Sequence, residues 1–455
     1  MRYRGENENE SRKITHVALH AKVYARNMMY RGVCMNYKNI EKSQLEQMLS
    51  QEQKAYKKLV KKGVSVDMTR GRPCKEQLQI AMPMLENAGK CNFMMSGIDA
   101  RNYGEPAGLK QARELFAQFF GVKAEEVIVC DGSSLDIMYN VVQFALQFGI
   151  LGSTPWNKLD KVKFICPAPG YDRHFAICQN FGIDMITVPM LADGPDMDLV
   201  ERICKDDESV KGIWCVPKYS NPTGITFSDK VVERMANLKP AAKDFRVFWD
   251  NAYCLHSLYD EDVKLKNIMD AAKKAGNQDM IYEFCSTAKI TFAGSGVAAF
   301  ASSQNNVTDL VKRLFFKKIN PNKVNQALHV EFLKDINNVR EIMKKHADIL
   351  RPKFELFDEK MTEAFSDVEN VKWSKPLGGY FISVDVPHCA KRIVELASGA
   401  GVKFTAAGST FPYGIDDNDA NIRIAPSVPS MEEMSFAVDV LVESIKIALC
   451  EYYVK

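Results

Sequence analysis

The chain has 455 residues, 46% of them hydrophobic, with 60 Lys and Arg against 57 Asp and Glu and a formal net charge of +3. That length exceeds what a single core usually serves, so two domains are expected. The near balance of charge gives no general case for nucleic acid or an acidic surface as partner, and no apolar run reaches membrane-spanning length. The small basic excess is local: residues 1–34 hold seven Lys and Arg and three Glu, leaving 53 basic and 54 acidic residues in the remainder. Twelve cysteines lie scattered without a C-x-x-C pair, and seven histidines are as dispersed. This argues against a zinc site and for a reduced, cytoplasmic protein.

Residues 1–34 differ in character from the rest of the chain. They lack the continuous apolar stretch of a secretory signal, and three early glutamates count against an Arg-rich transit peptide. The compact protein is expected to begin near Met35, with 1–34 as a loosely attached extension. The next segment, NYKNIEKSQLEQMLSQEQKAYKKLVKKG, predicts an amphipathic helix ending at Gly63. From about residue 100 to 302, strand-length apolar runs alternate with helix-length patterns. The predicted strands are EVIVC (126–130), VKFIC (162–166), DMITV (184–188), GIWCV (212–216), FRVFW (245–249), MIYEF (280–284) and VAAFAS (297–302). Between the first two, LDIMYNVVQFALQFG places Leu135, Met138, Val142 and Ala145 on one helical face. Strands buried on both faces and separated by helices indicate an α/β domain, residues 96–324, built on a mostly parallel sheet. Segments 35–95 and 325–455 are helix-rich, with one alternating strand region at GGYFISVDV (378–386). They are expected to pair as a smaller α+β domain drawn from both chain ends.

Ligands in such sheets collect at the carboxyl ends of the strands, and several of those ends carry chemistry. After EVIVC, Asp131-Gly132-Ser133-Ser134 opens a helix; free amides, hydroxyls and the positive end of the helix dipole make a phosphate cradle. The structural alternative is that Asp131 or Ser133 is only an N-cap. After VKFIC, the turn PAPGYDRHF offers Tyr171 as a stacking platform or as packing. After GIWCV, PKYSNPTG places Asn221 before a proline in an extended turn. After FRVFW come Asp250 and Tyr253; an acid ending a buried strand is costly without a cation or donor. Last, STAKITFAGSG sets Lys289 three residues after Ser286 and just before the glycine-rich Gly294-Ser295-Gly296. A surface lysine closing a strand is the commoner reading of that residue alone. Taken in order, a phosphate cradle, an aromatic, an amide, an acid with a tyrosine and a lysine are the groups that pyridoxal phosphate asks for.

At these residues the chain resembles the fold-type I pyridoxal-phosphate enzymes, specifically class I aminotransferases, from about residue 60 to the C-terminus. The resemblance implies that Lys289 bonds the cofactor's aldehyde and, once displaced by substrate, moves the proton between the amino acid's α-carbon and the cofactor. Asp250 would hold the pyridine nitrogen protonated. Tyr253 and Asn221 would bond the phenolic oxygen, and Tyr171 would stack on the ring. Gly132, Ser133, Ser134, Ser286 and Ser295 fall in the phosphate-binding and lysine-bearing segments. In NIRIAP, Arg423 corresponds to the fork that grips the substrate α-carboxylate. Gly71, in DMTRGRP, corresponds to the small residue passing over the substrate. Tyr103, in RNYGEPAGLKQARELFA, corresponds to the tyrosine that reaches a neighbouring subunit's phosphate, which implies a homodimer with shared sites.

One position departs from the pattern: the arginine expected eight residues after the lysine is Val297, and Gly294-Ser295-Gly296 is expected to hold the phosphate instead. The combination TRGRP, PGYDRHF, CVPKYSNPTG, STAKITFAGSG and KVNQALH is similar to a bacterial branch of aspartate aminotransferases. That implies amino-group exchange between aspartate and 2-oxoglutarate. A dicarboxylate substrate needs a second cation, and Arg70, Arg72, Lys317 and Lys318 are candidates. Two other readings stay open: a lyase or decarboxylase using the same cofactor, and a regulator that borrows the fold. The regulator would need an N-terminal DNA-binding module, and the stretch of about 60 residues before TRGRP shows no helix-turn-helix pattern.

Overall fold

The computed structural model describes residues 35–455, so the extension expected at 1–34 lies outside the described residues. All seven predicted strands form, joined by a short eighth: β1 Val127–Val129, β2 Lys163–Ala168, β3 Asp184–Leu191, β4 Gly194–Pro195, β5 Val210–Cys215, β6 Arg246–Asp250, β7 Ile281–Ser286 and β8 Ala298–Ala301. They make one sheet in the order β1-β8-β7-β6-β5-β2-β3-β4. Strands β7, β6, β5, β2 and β3 pair in parallel, and β8 runs antiparallel to both β7 and β1. The carboxyl ends of β1, β2, β5, β6 and β7 therefore share one edge, and β8 enters from it. Four helices matter for the site: α1 Ser134–Phe148, α2 Asp172–Asn180, α3 Gln304–Lys317 and α4 Lys323–Leu333.

The apolar runs are continuous because the sheet is covered on both faces. Phe164, Cys166, Trp214, Phe248 and Phe284 face one layer with Met138, Val142 and Ala145 of α1 and Leu310 and Leu314 of α3. The alternate residues Ile165, Ile213, Cys215, Val247 and Trp249 face the other, against Val232, Met235 and Ile268. Trp214 and Phe248 meet at 4.5 Å, and Phe164 lies 5.5 and 5.3 Å from them. Each such buried aromatic contributes on the order of 2–3 kcal/mol. This ring cluster spans β2, β5 and β6 on one face of the sheet.

Both chain ends share a separate core. Helix Lys42–Val60, within the predicted span, packs on Met431–Val454. Val66 pairs in parallel with Val402, and strand Ile382–Asp385, from the predicted 378–386 region, lies between Lys372–Trp373 and Asn421–Ile424. Helix Lys75–Glu86 packs instead on α4 and on helix Ile336–Phe365, and Ile80, Phe93 and Met95 join the core of Phe116, Val127 and Leu333. The stretch 35–95 is thus divided between two cores. Helix Ile336–Phe365 bridges them, with Val339, Ile342 and Met343 in one and Leu350, Phe354, Phe357 and Met361 in the other. The described cysteines are free, and no helix among the described residues is long and apolar enough to cross a membrane.

One buried acid sits inside the sheet. Glu283 on β7 accepts from Asn251 Nδ2 at 3.3 Å with one oxygen and has no hydrogen-bond partner for the other. Burial pushes its pKa up to about 8. A carboxyl raised in the folded state contributes stability at low pH and loses it as pH rises towards that value. Thermal melts should therefore show Glu283→Gln gaining on the parent between pH ~5 and 8. A difference that does not change with pH would contradict the buried, protonated carboxyl.

Candidate active site

At the end of β1, Ser133 occupies the N-cap of α1 in an extended conformation, yet its side chain makes no capping hydrogen bond. The first amides of α1 are therefore left for a ligand. Asp131 does not cap the helix either. Its carboxylate accepts from Asn322 N at 2.7 Å and from Lys318 Nζ at 2.6 Å, tying the start of α4 to the cradle. A Cβ on Gly132 would lie 3.4 Å from the Gly296 carbonyl, so the Gly294-Ser295-Gly296 turn forms the opposite wall.

That turn also supports the lysine. Thr287 N donates to Val297 O, and Val297 N donates to Thr287 Oγ1, both at 2.9 Å. Gly296 approaches Ala288 so closely that a Cβ would lie 3.0 Å from its backbone. Asn325 Nδ2 on α4 donates to the carbonyls of Ser295 and Gly296, each at 3.2 Å. The Val297 side chain is buried in the core, which accounts for the missing arginine: this position now packs and its backbone braces the lysine turn. Ser295 is exposed, its hydroxyl 3.4 Å from Asn325 Oδ1, and Ser286 Oγ accepts from Ala288 N.

The last residue of β6, Asp250, lies opposite Phe284 on β7. It is buried. Its Oδ2 lies 3.0 Å from His174 Nε2, and its Oδ1 has no partner among the described residues. His174 is held in turn by stacking on Trp214 at 4.5 Å and 11°. Tyr171 sits edge-on to His174, and burial pushes its hydroxyl pKa up to about 12. Tyr253 is fully enclosed between His256 and Tyr380, and burial raises its pKa well above the usual value. The Lys289 amine lies 5.1 Å from the centre of the Tyr253 ring. Burial lowers its pKa, opposed by the charge of Asp250, which increases the neutral, nucleophilic fraction.

Arg423, on strand Asn421–Ile424, stands on the other side of Asn221. Its Nη1 is 3.4 Å from Asn221 Oδ1 and 2.6 Å from Asp172 Oδ1. Thr405 Oγ1 accepts from Nε and Nη2 at 3.4 and 3.3 Å, and the guanidinium lies 5.0 Å over the Phe381 ring. A Cβ on Gly71 would meet that ring at 2.7 Å, so only glycine lets the N-terminal segment pass there. Tyr103 is 77% exposed. Of the four distal-cation candidates, Lys317 bonds Asn140 Oδ1 and Lys318 bonds Asp131, both towards the cradle, while Arg70 and Arg72 are exposed.

Sequence reasoning missed His174, Asp172 and Thr405. The first two stand in the quoted PGYDRHF, where spacing was the available signal: His174 follows Tyr171 by one helical turn. Thr405 carried no local signal.

The residues present fit a phosphorylated pyridine aldehyde: an unpartnered buried carboxylate oxygen, a partly neutral amine and an uncapped helix start behind a glycine. The model of the family described as Aspartate amino-transferase matches residues 40–455. The chain belongs to that family. An aspartate aminotransferase of Corynebacterium glutamicum is 43% identical over 401 residues, covering 88% of this chain and 93% of its own length. The crystal structure of an aspartate transaminase from the same species superposes with a TM-score of 0.90 at 41% identity, covering 92% of this chain and all of that one. The α-aminoadipate aminotransferase of Thermus thermophilus, complexed with N-(5′-phosphopyridoxyl)-L-leucine, shares the fold at 21% identity and a TM-score of 0.68. The fold is that of the fold-type I transferases, and the protein is an aminotransferase.

Within this aminotransferase, replacing His174 by Phe retains an aromatic ring beside Trp214 but strands the second oxygen of Asp250. Denaturant unfolding should show a loss of about 1–3 kcal/mol. Unchanged stability would mean that His174 does not hold Asp250.

Proposed function

We propose that the aminotransferase uses pyridoxal 5′-phosphate to move the amino group of L-aspartate to 2-oxoglutarate, giving oxaloacetate and L-glutamate. The observation that carries the cofactor assignment is the unpartnered, buried oxygen of Asp250, close enough to the Lys289 amine for its charge to act on it. The substrate assignment is supported by the near full-length similarity to an aspartate aminotransferase. When bound, the cofactor supplies an aldehyde for the amino nitrogen and a ring that delocalises the charge left on the α-carbon.

The chain's residues do the rest. Lys289 would hold the cofactor through its aldehyde and, once the substrate amine has displaced it, its freed Nζ would be the base that takes the proton from the substrate α-carbon. Asp250 Oδ1 would hold the protonated pyridine nitrogen, with His174 fixing the carboxylate through Oδ2. Tyr253 and Asn221 would bond the phenolic oxygen, and Tyr171 would stack on the ring. Gly132, Ser133, Ser134, Ser286 and Ser295 would receive the phosphate with the uncapped amides of α1. Arg423 grips the α-carboxylate in a bidentate fork, and Gly71 leaves room above the substrate. The distal carboxylate falls to Arg70 or Arg72, which flank Gly71, since Lys317 and Lys318 turn towards the cradle. The exposure of Tyr103, and of Phe315 and Phe316 on α3, supports a homodimer in which Tyr103 reaches a neighbouring site. Free thiols support a reducing, cytoplasmic setting.

The test is an absorbance spectrum of the protein loaded with pyridoxal phosphate, before and after adding aspartate with no oxo acid. The yellow band should give way to the pyridoxamine form and return on adding 2-oxoglutarate. A band that aspartate leaves unchanged would overturn the substrate; absence of any band would overturn the cofactor.

A further inference from the structure

Arg423 is a buried cation whose best partner is not a substrate. Its side chain is 5% exposed, and the guanidinium cannot shed its proton. Asn221 and Thr405 offer it only neutral oxygens at 3.3–3.4 Å. The short contact is with the Asp172 carboxylate at 2.6 Å. Asp172 opens α2 directly after Tyr171, where the helix dipole favours a negative charge, and its side chain is 30% exposed.

We propose that Asp172 is an internal stand-in for the substrate's α-carboxylate: it neutralises Arg423 when no substrate is bound and yields the fork when one enters. The inference rests on the reading of Arg423 as the carboxylate clamp. A buried guanidinium without an anion is costly, so the ligand-free fold needs a counter-ion there. An incoming carboxylate needs the same Nη1 that Asp172 holds, and two carboxylates on one edge of the fork repel. The partial exposure of Asp172 gives its carboxylate a route into water. Carboxylate binding is therefore an exchange of one anion for another, which weakens the grip on amino donor and oxo acid alike and eases release of each product.

Two measurements with opposite signs test this on the holoenzyme. Succinate, a dicarboxylate with no amino or oxo group, is titrated by calorimetry, and thermal melts are recorded without ligand. Asp172→Asn keeps the shape and removes the charge. It should bind succinate roughly five- to twentyfold more tightly, lower the KM for aspartate and 2-oxoglutarate with a smaller change in kcat, and melt earlier when ligand-free. Asp172→Ser, a second variant, should shift in the same directions. A purely structural role would lower the melting temperature without tightening succinate, and that result overturns the proposal. Arg423→Gln separates the underlying reading. If it loses succinate while Asp172→Asn binds no tighter than the parent, the clamp stands and the stand-in falls. If it binds succinate like the parent, the clamp reading fails and the proposal falls with it.

Discussion

The site is organised around one carboxylate that the fold buries and only half satisfies. Asp250 ends a strand covered on both faces, and the contact with His174 accounts for one of its two oxygens. Taking an ionised group from water costs several kcal/mol unless partners are supplied. The chain supplies one partner through a histidine stacked on Trp214 and leaves the other oxygen buried without a partner among the described residues. The register that places Asp250 opposite Phe284 also places the turn bearing Lys289 beside it. The carboxylate is thereby held on a paired strand and the amine on the braced turn that follows the neighbouring strand, the kind of positioning that reacting groups require.

The same physics appears with the sign reversed at Arg423. There the fold buries a cation, and the ligand-free protein meets the cost with Asp172. The two centres flank Asn221 and Tyr253: Asp250 lies on the side where a pyridine nitrogen would fit, and Arg423 where a carboxylate would. The cradle at α1 adds a third feature, a helix start left uncapped by its own serine. At Asp250 and at the start of α1 a group is left short of its full complement of partners, whereas at Arg423 the complement is met from within the chain by Asp172.

Much of this was legible in the residues because the strands are fully buried. Five-residue apolar runs such as FRVFW and MIYEF have a single good structural solution, so the polar residue after each run had to lie at the sheet edge. That logic put Asp250, Asn221, Tyr171 and Lys289 at or just beyond the ends of their strands; the roles proposed for them came from the family resemblance. It could not find Asp172 or Thr405, because an aspartate opening a helix and a threonine in a loop have ordinary local explanations, and only the three-dimensional path of Arg423 gives them a role. Val297 was legible as a departure, but not its reason, which is that the side chain fills the core while its backbone braces Thr287. The division of 35–95 between two cores was hidden for a similar reason. Helix Lys75–Glu86 is amphipathic, and nothing in its periodicity says which core it faces.

Under the proposed function, Lys289 is the amine that meets the cofactor's aldehyde. Reducing the pyridoxal-phosphate-loaded protein with borohydride and mapping the labelled peptide tests this directly. The account predicts a single pyridoxyl label on Lys289 of the peptide STAKITFAGSG. Label on another lysine, or spread over many with none favoured, would contradict it.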